Sequence, residues 1–106
     1  MEFTDQTKNF LELDDLQAQH VAELFSVLGD SSRVKIIAAL LSGPMNVQAL
    51  ADKVGISPSG ISHHMRSLRQ MQLVRSHKQG RQVFYSIEDQ HVEELFQRGV
   101  DHVLHG

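Results

Sequence analysis

The sequence predicts a mainly α-helical domain with one small β-hairpin, in the order α-α-α-α-β-β-α. Three observations lead there. Apolar residues recur at helical spacing in several separate stretches, capping and stop residues punctuate those stretches at short intervals, and one late run of β-branched and aromatic residues folds back on a glycine. The 106 residues make one domain, and a hydrophobic content of 41% is enough for one core.

From Leu11 to Leu28 the apolar residues Leu13, Leu16, Val21, Leu24, Phe25 and Leu28 keep a helical period, and Gly29 stops it. Asp30 is a good N-cap for a second helix over Ser31–Leu41, which Gly43-Pro44 breaks. Asn46 can cap a short helix from Val47 to Val54, closed by Gly55. Ser57 caps the next, with Pro58 at its first helical position, and that helix buries Ile61, Met65 and Leu68 before ending near Met71 or Gln72. Two short helices joined by a tight glycine turn form a helix-turn-helix. Leu73–Lys78 and Arg81–Ser86 flank Gln79-Gly80 as a hairpin, which makes this a winged helix-turn-helix, and a last helix runs from about Asp89 to His105. Residues 1–10 read as a frayed tail and 11–106 as the domain, with the terminal helices dimerising.

The net charge of −3 hides a segregation. None of the thirteen acidic residues lies between Lys53 and Ile87, while that stretch carries Lys53, Arg66, Arg69, Arg75, Lys78 and Arg81. A purely basic segment inside an acidic chain is the footprint of a phosphate-binding surface. The second helix of a helix-turn-helix enters the major groove of DNA. Its outward positions here are Ser57, Ser59, Ser62, His63 and Arg66, small hydroxyls and donors suited to base edges and phosphates. Arg69 further along, and Lys78 and Arg81 on the wing, suit the DNA backbone. Ser57 is a helix cap in either case. His64 is expected beside the groove or against the wing, His77 on the wing, and His20 on a helix surface.

The remaining histidines form a pattern. With about 100° per residue, His102 and His105 fall within about 40° of His91, so the three share one stripe of the terminal helix, beside an apolar sector of Val92, Leu95, Phe96, Val100 and Val103. Asp89 stands at the helix start, as or near its N-cap. His91 and His102 lie roughly 16 Å apart along the axis, too far to share an ion within one helix. Two such helices packed antiparallel about a two-fold axis would bring Asp89 and His91 of one chain to His102 and His105 of the other, twice over. Three imidazoles and one carboxylate suit tetrahedral Zn(II), with Co(II) as a mimic; Cd(II), Pb(II) and As(III) favour thiolates, and the chain has no cysteine. The spacing alone leaves open a solvated histidine cluster with Asp89 as a plain cap.

The run Ile56-Ser57-Pro58-Ser59-Gly60-Ile61-Ser62-His63-His64-Met65-Arg66-Ser67-Leu68, followed by Leu73-Val74, Gly80-Arg81 and Tyr85-Ser86-Ile87, resembles the ArsR/SmtB family of winged-helix repressors. The likeness extends from Leu28-Gly29-Asp30-Ser31-Ser32-Arg33 to the last helix. It implies a homodimer that binds inverted-repeat operator DNA in the apo state and leaves it when a metal binds. Asp89-x-His91 followed by His102-x-x-His105 is similar to the terminal-helix site of the family's zinc and cobalt sensors. The family's cysteine site has no counterpart in Val47–Val54, and Gln72 stands where the family usually has a glycine, an expected difference in the shape of the helix end. A winged-helix repressor answering to a different metal or a small-molecule inducer is the alternative reading.

Other classes find little support. No His-Glu-x-x-His pair or nucleophile–base pair points to an enzyme with a small-molecule substrate, and no apolar run approaches the ~20 residues of a membrane span. An acidic, polar N-terminus is no signal peptide, so a cytoplasmic location is expected.

Overall fold

The computed structural model describes residues 12–106; the expected tail, 1–10, and Leu11 lie outside that range. In chain order the described residues form α1 (Asp15–Leu28), α2 (Ser31–Leu40), β1 (Met45–Asn46), α3 (Val47–Val54), α4 (Pro58–Gln70), β2 (Val74–Gln79), β3 (Gln82–Ile87) and α5 (Gln90–His105).

The helices start where capping chemistry places them. Asp30, Asn46, Ser57 and Asp89 each accept a hydrogen bond from the backbone N–H three residues on, satisfying a donor that the helix cannot. The first helix begins later than its apolar pattern suggests. Asp14 and Gln17 form a capping box, so Leu13 lies outside α1.

The hairpin turn is Gly80-Arg81, one residue later than expected, because Gln79 pairs with Gln82. Gly80 takes φ +64° there, as a two-residue turn with glycine first requires. The hairpin also gains a third strand. β1 pairs antiparallel with β3, Met45 opposite Tyr85 and Asn46 opposite Phe84, in the order β1-β3-β2. Asn46 reinforces this junction by donating to the Gln82 side chain at 3.0 Å while capping α3. The wing is thereby tied to the first helix of the helix-turn-helix.

The core is built by α2, α3, α4 and the sheet. Ile36, Ile37, Leu50, Ile61, Met65, Leu68 and Val74 are all but fully buried, each worth about 1.5–3 kcal/mol of apolar transfer. The outer helices are treated differently. No residue of α1 is buried, and in α5 only Phe96 is. Leu16, Phe25, Val34, Leu95, Val100, Val103 and Leu104 stand exposed, Val103 at 80%.

The end of α4 keeps a glycine-type turn without glycine. Gln72 N–H donates to Arg69 O at 3.0 Å and Leu73 N–H to Leu68 O at 2.9 Å, the paired bonds of a Schellman cap, with buried Leu68 and Leu73 in the accompanying apolar positions. This requires Gln72 to adopt φ +55°, the one non-glycine positive φ among the described residues. The turn thus forms with a non-glycine residue in the left-handed region, and the side chain carries strain. Gln72→Gly should relieve it, raising stability by about 1 kcal/mol and Tm by about 4 °C or more, measured by thermal melts. An unchanged or lower Tm would mean that the Gln72 side chain itself stabilises the turn.

Candidate functional site

The solvent-facing side of α4 collects the hydroxyls and cations expected to meet DNA. Ser57, Ser59, Ser62, His63, Arg66 and Arg69 are all exposed on it, and Lys78 and Arg81 are exposed at the hairpin end. Ser57 Oγ accepts from Gly60 N–H at 3.0 Å and lies 3.1 Å from Ser59 Oγ, so its first role is the cap. Among the described residues no carboxylate stands within ion-pair distance of Arg66, Arg69, Lys78 or Arg81. Their charges are available to an external anion. His77 stacks on Phe84 at 5.7 Å between ring centroids, which places it on the wing as expected.

His64 has a partner that the sequence did not suggest. It is half-buried, and its Nδ1 accepts from Arg33 Nε at 3.2 Å. Arg33 also donates to Val27 O at 3.3 Å and to Ser67 Oγ at 3.4 Å. Asp30 completes the group. Its carboxyl is held below the ordinary carboxylate range, first by the Arg33 backbone N–H it accepts and further by the Arg33 charge. Nothing local in the sequence announces a contact between positions 31 residues apart.

On α5 the four expected ligands lie at the two ends of one helix. Asp89 caps it, its Oδ1 accepting from Val92 N–H at 3.1 Å and lying 3.6 Å from His91 Nδ1. His91, His102 and His105 are exposed. Among the described residues no group of three or more His, Cys, Asp or Glu side chains of a single chain could hold a metal. Asp89 with His91 can offer one oxygen and one nitrogen; His102 with His105 can offer two nitrogens. A site drawing on all four needs two chains. The donor set fits a borderline cation of tetrahedral preference. Asp101 is the residue that sequence reasoning missed. It sits four positions before His105, and its Oδ1 lies 3.1 Å from His105 Nδ1. A ligating imidazole commonly turns one ring nitrogen to a carboxylate, leaving the other for the metal. The i,i+4 spacing of Asp101 and His105 was the available signal.

Between α1 and α5 runs an open groove of about 630 Å³, lined by Phe25, Leu28, Val34, Leu95, Val100 and Val103 among others. Its walls are almost wholly apolar, and His102 lies at its edge.

A helix pair whose second member turns hydroxyls and unpaired cations outward, beside a basic hairpin, defines a winged helix-turn-helix domain. The pattern of the bacterial regulatory proteins of the arsR family matches residues 30–76. The chain is 41% identical over 87 residues to a transcriptional repressor SmtB homolog of Synechocystis sp., covering 82% of this chain and 66% of that one, just under two thirds of its length. It is 36% identical over 83 residues to a cadmium resistance transcriptional regulatory protein CadC homolog of Staphylococcus aureus, covering 77% and 69%. The solution structure of apo-NmtR superposes with a TM-score of 0.75 at 36% identity, covering 89% of this chain and 79% of that one. The chain belongs to the arsR family of bacterial regulatory proteins. No helix among the described residues is long and apolar enough to cross a membrane.

Proposed function

We propose that the chain is a metal-responsive transcriptional repressor, bound to operator DNA as an apo homodimer and released by Zn(II), with Co(II) as a substitute. The observation that carries this reading is the arrangement of α5: paired donors at each end of one helix, beside an apolar stripe that the chain's own core leaves uncovered. An antiparallel second copy would cover that stripe and bring the two donor pairs together.

In this reading Ser59, Ser62 and His63 face base edges. Arg66 spans base and phosphate, and Arg69, Lys78 and Arg81 bind phosphate. Two-fold symmetry sets the two α4 helices in successive major grooves, about 34 Å apart, and so calls for an inverted-repeat operator. Asp89, His91, His102 and His105 would hold Zn(II), which supplies a four-coordinate link between the two α5 helices. Asp101 orients His105. A dimer geometry fixed by that link and mismatched to the groove spacing opposes DNA, and DNA must then weaken metal binding by the same factor.

The test is fluorescence anisotropy on labelled duplex from upstream of the chain's own gene, first with chelator and then with a Zn(II) titration. Tight binding that is lost at one ion or less per chain is the expected result. Tight binding that zinc leaves unchanged would keep the repressor and overturn the sensor.

A further inference from the structure

Arg33 is an unusual place for a cation. It lies in the first turn of α2, at the positive end of the helix dipole, and it is half-buried. Each of its three guanidinium nitrogens donates once. One arm ends on the last turn of α1 at Val27 O, and the other two ends reach α4 at His64 Nδ1 and Ser67 Oγ. Lysine has no such geometry. The acceptors are specific as well. A guanidinium does not give up its proton, so a neutral His64 must leave Nδ1 unprotonated and carry its hydrogen on Nε2.

We propose that Arg33 is a positioning residue for DNA reading: through His64 and Ser67 it sets the roll of α4 against the α1–α2 corner, and so determines how accurately Ser59, Ser62 and His63 meet base edges. This rests on α4 being the reading helix. The fork touches α4 at His64 and Ser67, on a different strip of the helix from Ser59, Ser62 and Arg66, so it governs discrimination between sequences more than attraction to DNA. Attraction comes from phosphate contacts, which tolerate a small roll; base contacts do not. Protonated His64 cannot accept from Arg33 and sets a second cation beside it. The groups facing His64 are Arg33 and Asp30 from α2 and its cap, Val27 O from α1, and His63 and Ser67 from α4 itself. Asp30 is the one carboxylate among them.

Two measurements test this on the full-length apo chain with chelator present. The first is the tautomer of His64, read from two-bond proton–nitrogen correlations in the NMR spectrum near neutral pH. The hydrogen is expected on Nε2; a hydrogen on Nδ1 would overturn the proposal without reference to DNA. The second is selectivity, the ratio of affinity for a duplex selected from a random pool to affinity for scrambled duplex. His64→Asn keeps an acceptor near the Nδ1 position and does not titrate, whereas His64→Leu keeps bulk alone. Selectivity should fall about tenfold in His64→Leu and in Arg33→Met, be retained in His64→Asn, and not be rescued by Arg33→Lys. Scrambled-duplex affinity should change little. Equal selectivity in wild type and His64→Leu, with both folded by thermal melt, would overturn the positioning role; equal loss in Asn and Leu variants would overturn the hydrogen bond as its basis. If wild type selects no duplex at all while His64 carries its hydrogen on Nε2, the DNA-reading premise fails and the Arg33 contact stands.

Discussion

Phe25→Glu should leave each chain folded and split the assembly into monomers. Phe25 is 56% exposed in the single chain and lines the apolar groove between α1 and α5, so the core does not depend on it. In a two-fold interface the substitution acts twice. Each copy loses a buried aromatic ring and places an unpaired carboxylate in an apolar setting, together at least about 3 kcal/mol, or more than a hundredfold in dimer dissociation. Sedimentation equilibrium reads the mass and circular dichroism the fold. DNA affinity should collapse with dimerisation, because one α4 then meets one half-site. A variant that stays dimeric would place the interface elsewhere and remove the basis for a metal site shared between chains.

The second large effect is expected from His102→Ala. It removes one of four proposed ligands at an exposed position that no core residue relies on. Zinc affinity, measured by competition with a chromophoric chelator, should fall at least about a hundredfold. Affinity of the apo protein for operator DNA should stay within about twofold of wild type, since His102 lies on α5 and the exposed cations on α4 and the wing. Zinc should then no longer displace the DNA. Parallel loss of DNA binding and zinc binding would show that the stripe and the reading face are not separate parts.

The helices were legible because their ends are decided locally. Asp30, Asn46, Ser57 and Asp89 are short oxygen-bearing side chains directly before apolar periodicity, and each does cap its helix. The excess of apolar residues in α1 was equally readable; that they lie exposed in the single chain needed coordinates. What escaped was decided at a distance. β1 is two residues long, too short for any alternation, and exists only because β3 offers it an edge. The hairpin turn slipped by one residue because pairing register, not composition, sets it. Arg33 and His64 meet only through the packing of α2 on α4. Of the proposed site, the imidazole stripe followed from helical angles alone, while Asp101 was visible in the spacing and passed over.

The uncovered apolar stripe ties the abundance of the chain to its own survival. A protomer that exposes Leu16, Phe25, Val103 and Leu104 gains stability by pairing, and by mass action that gain grows with concentration. Dilution therefore removes the second DNA half-site and part of the folding free energy together. A regulator with this property does not fade in proportion to its copy number; below a threshold the paired form is lost, so occupancy responds to expression more steeply than one chain's affinity would dictate.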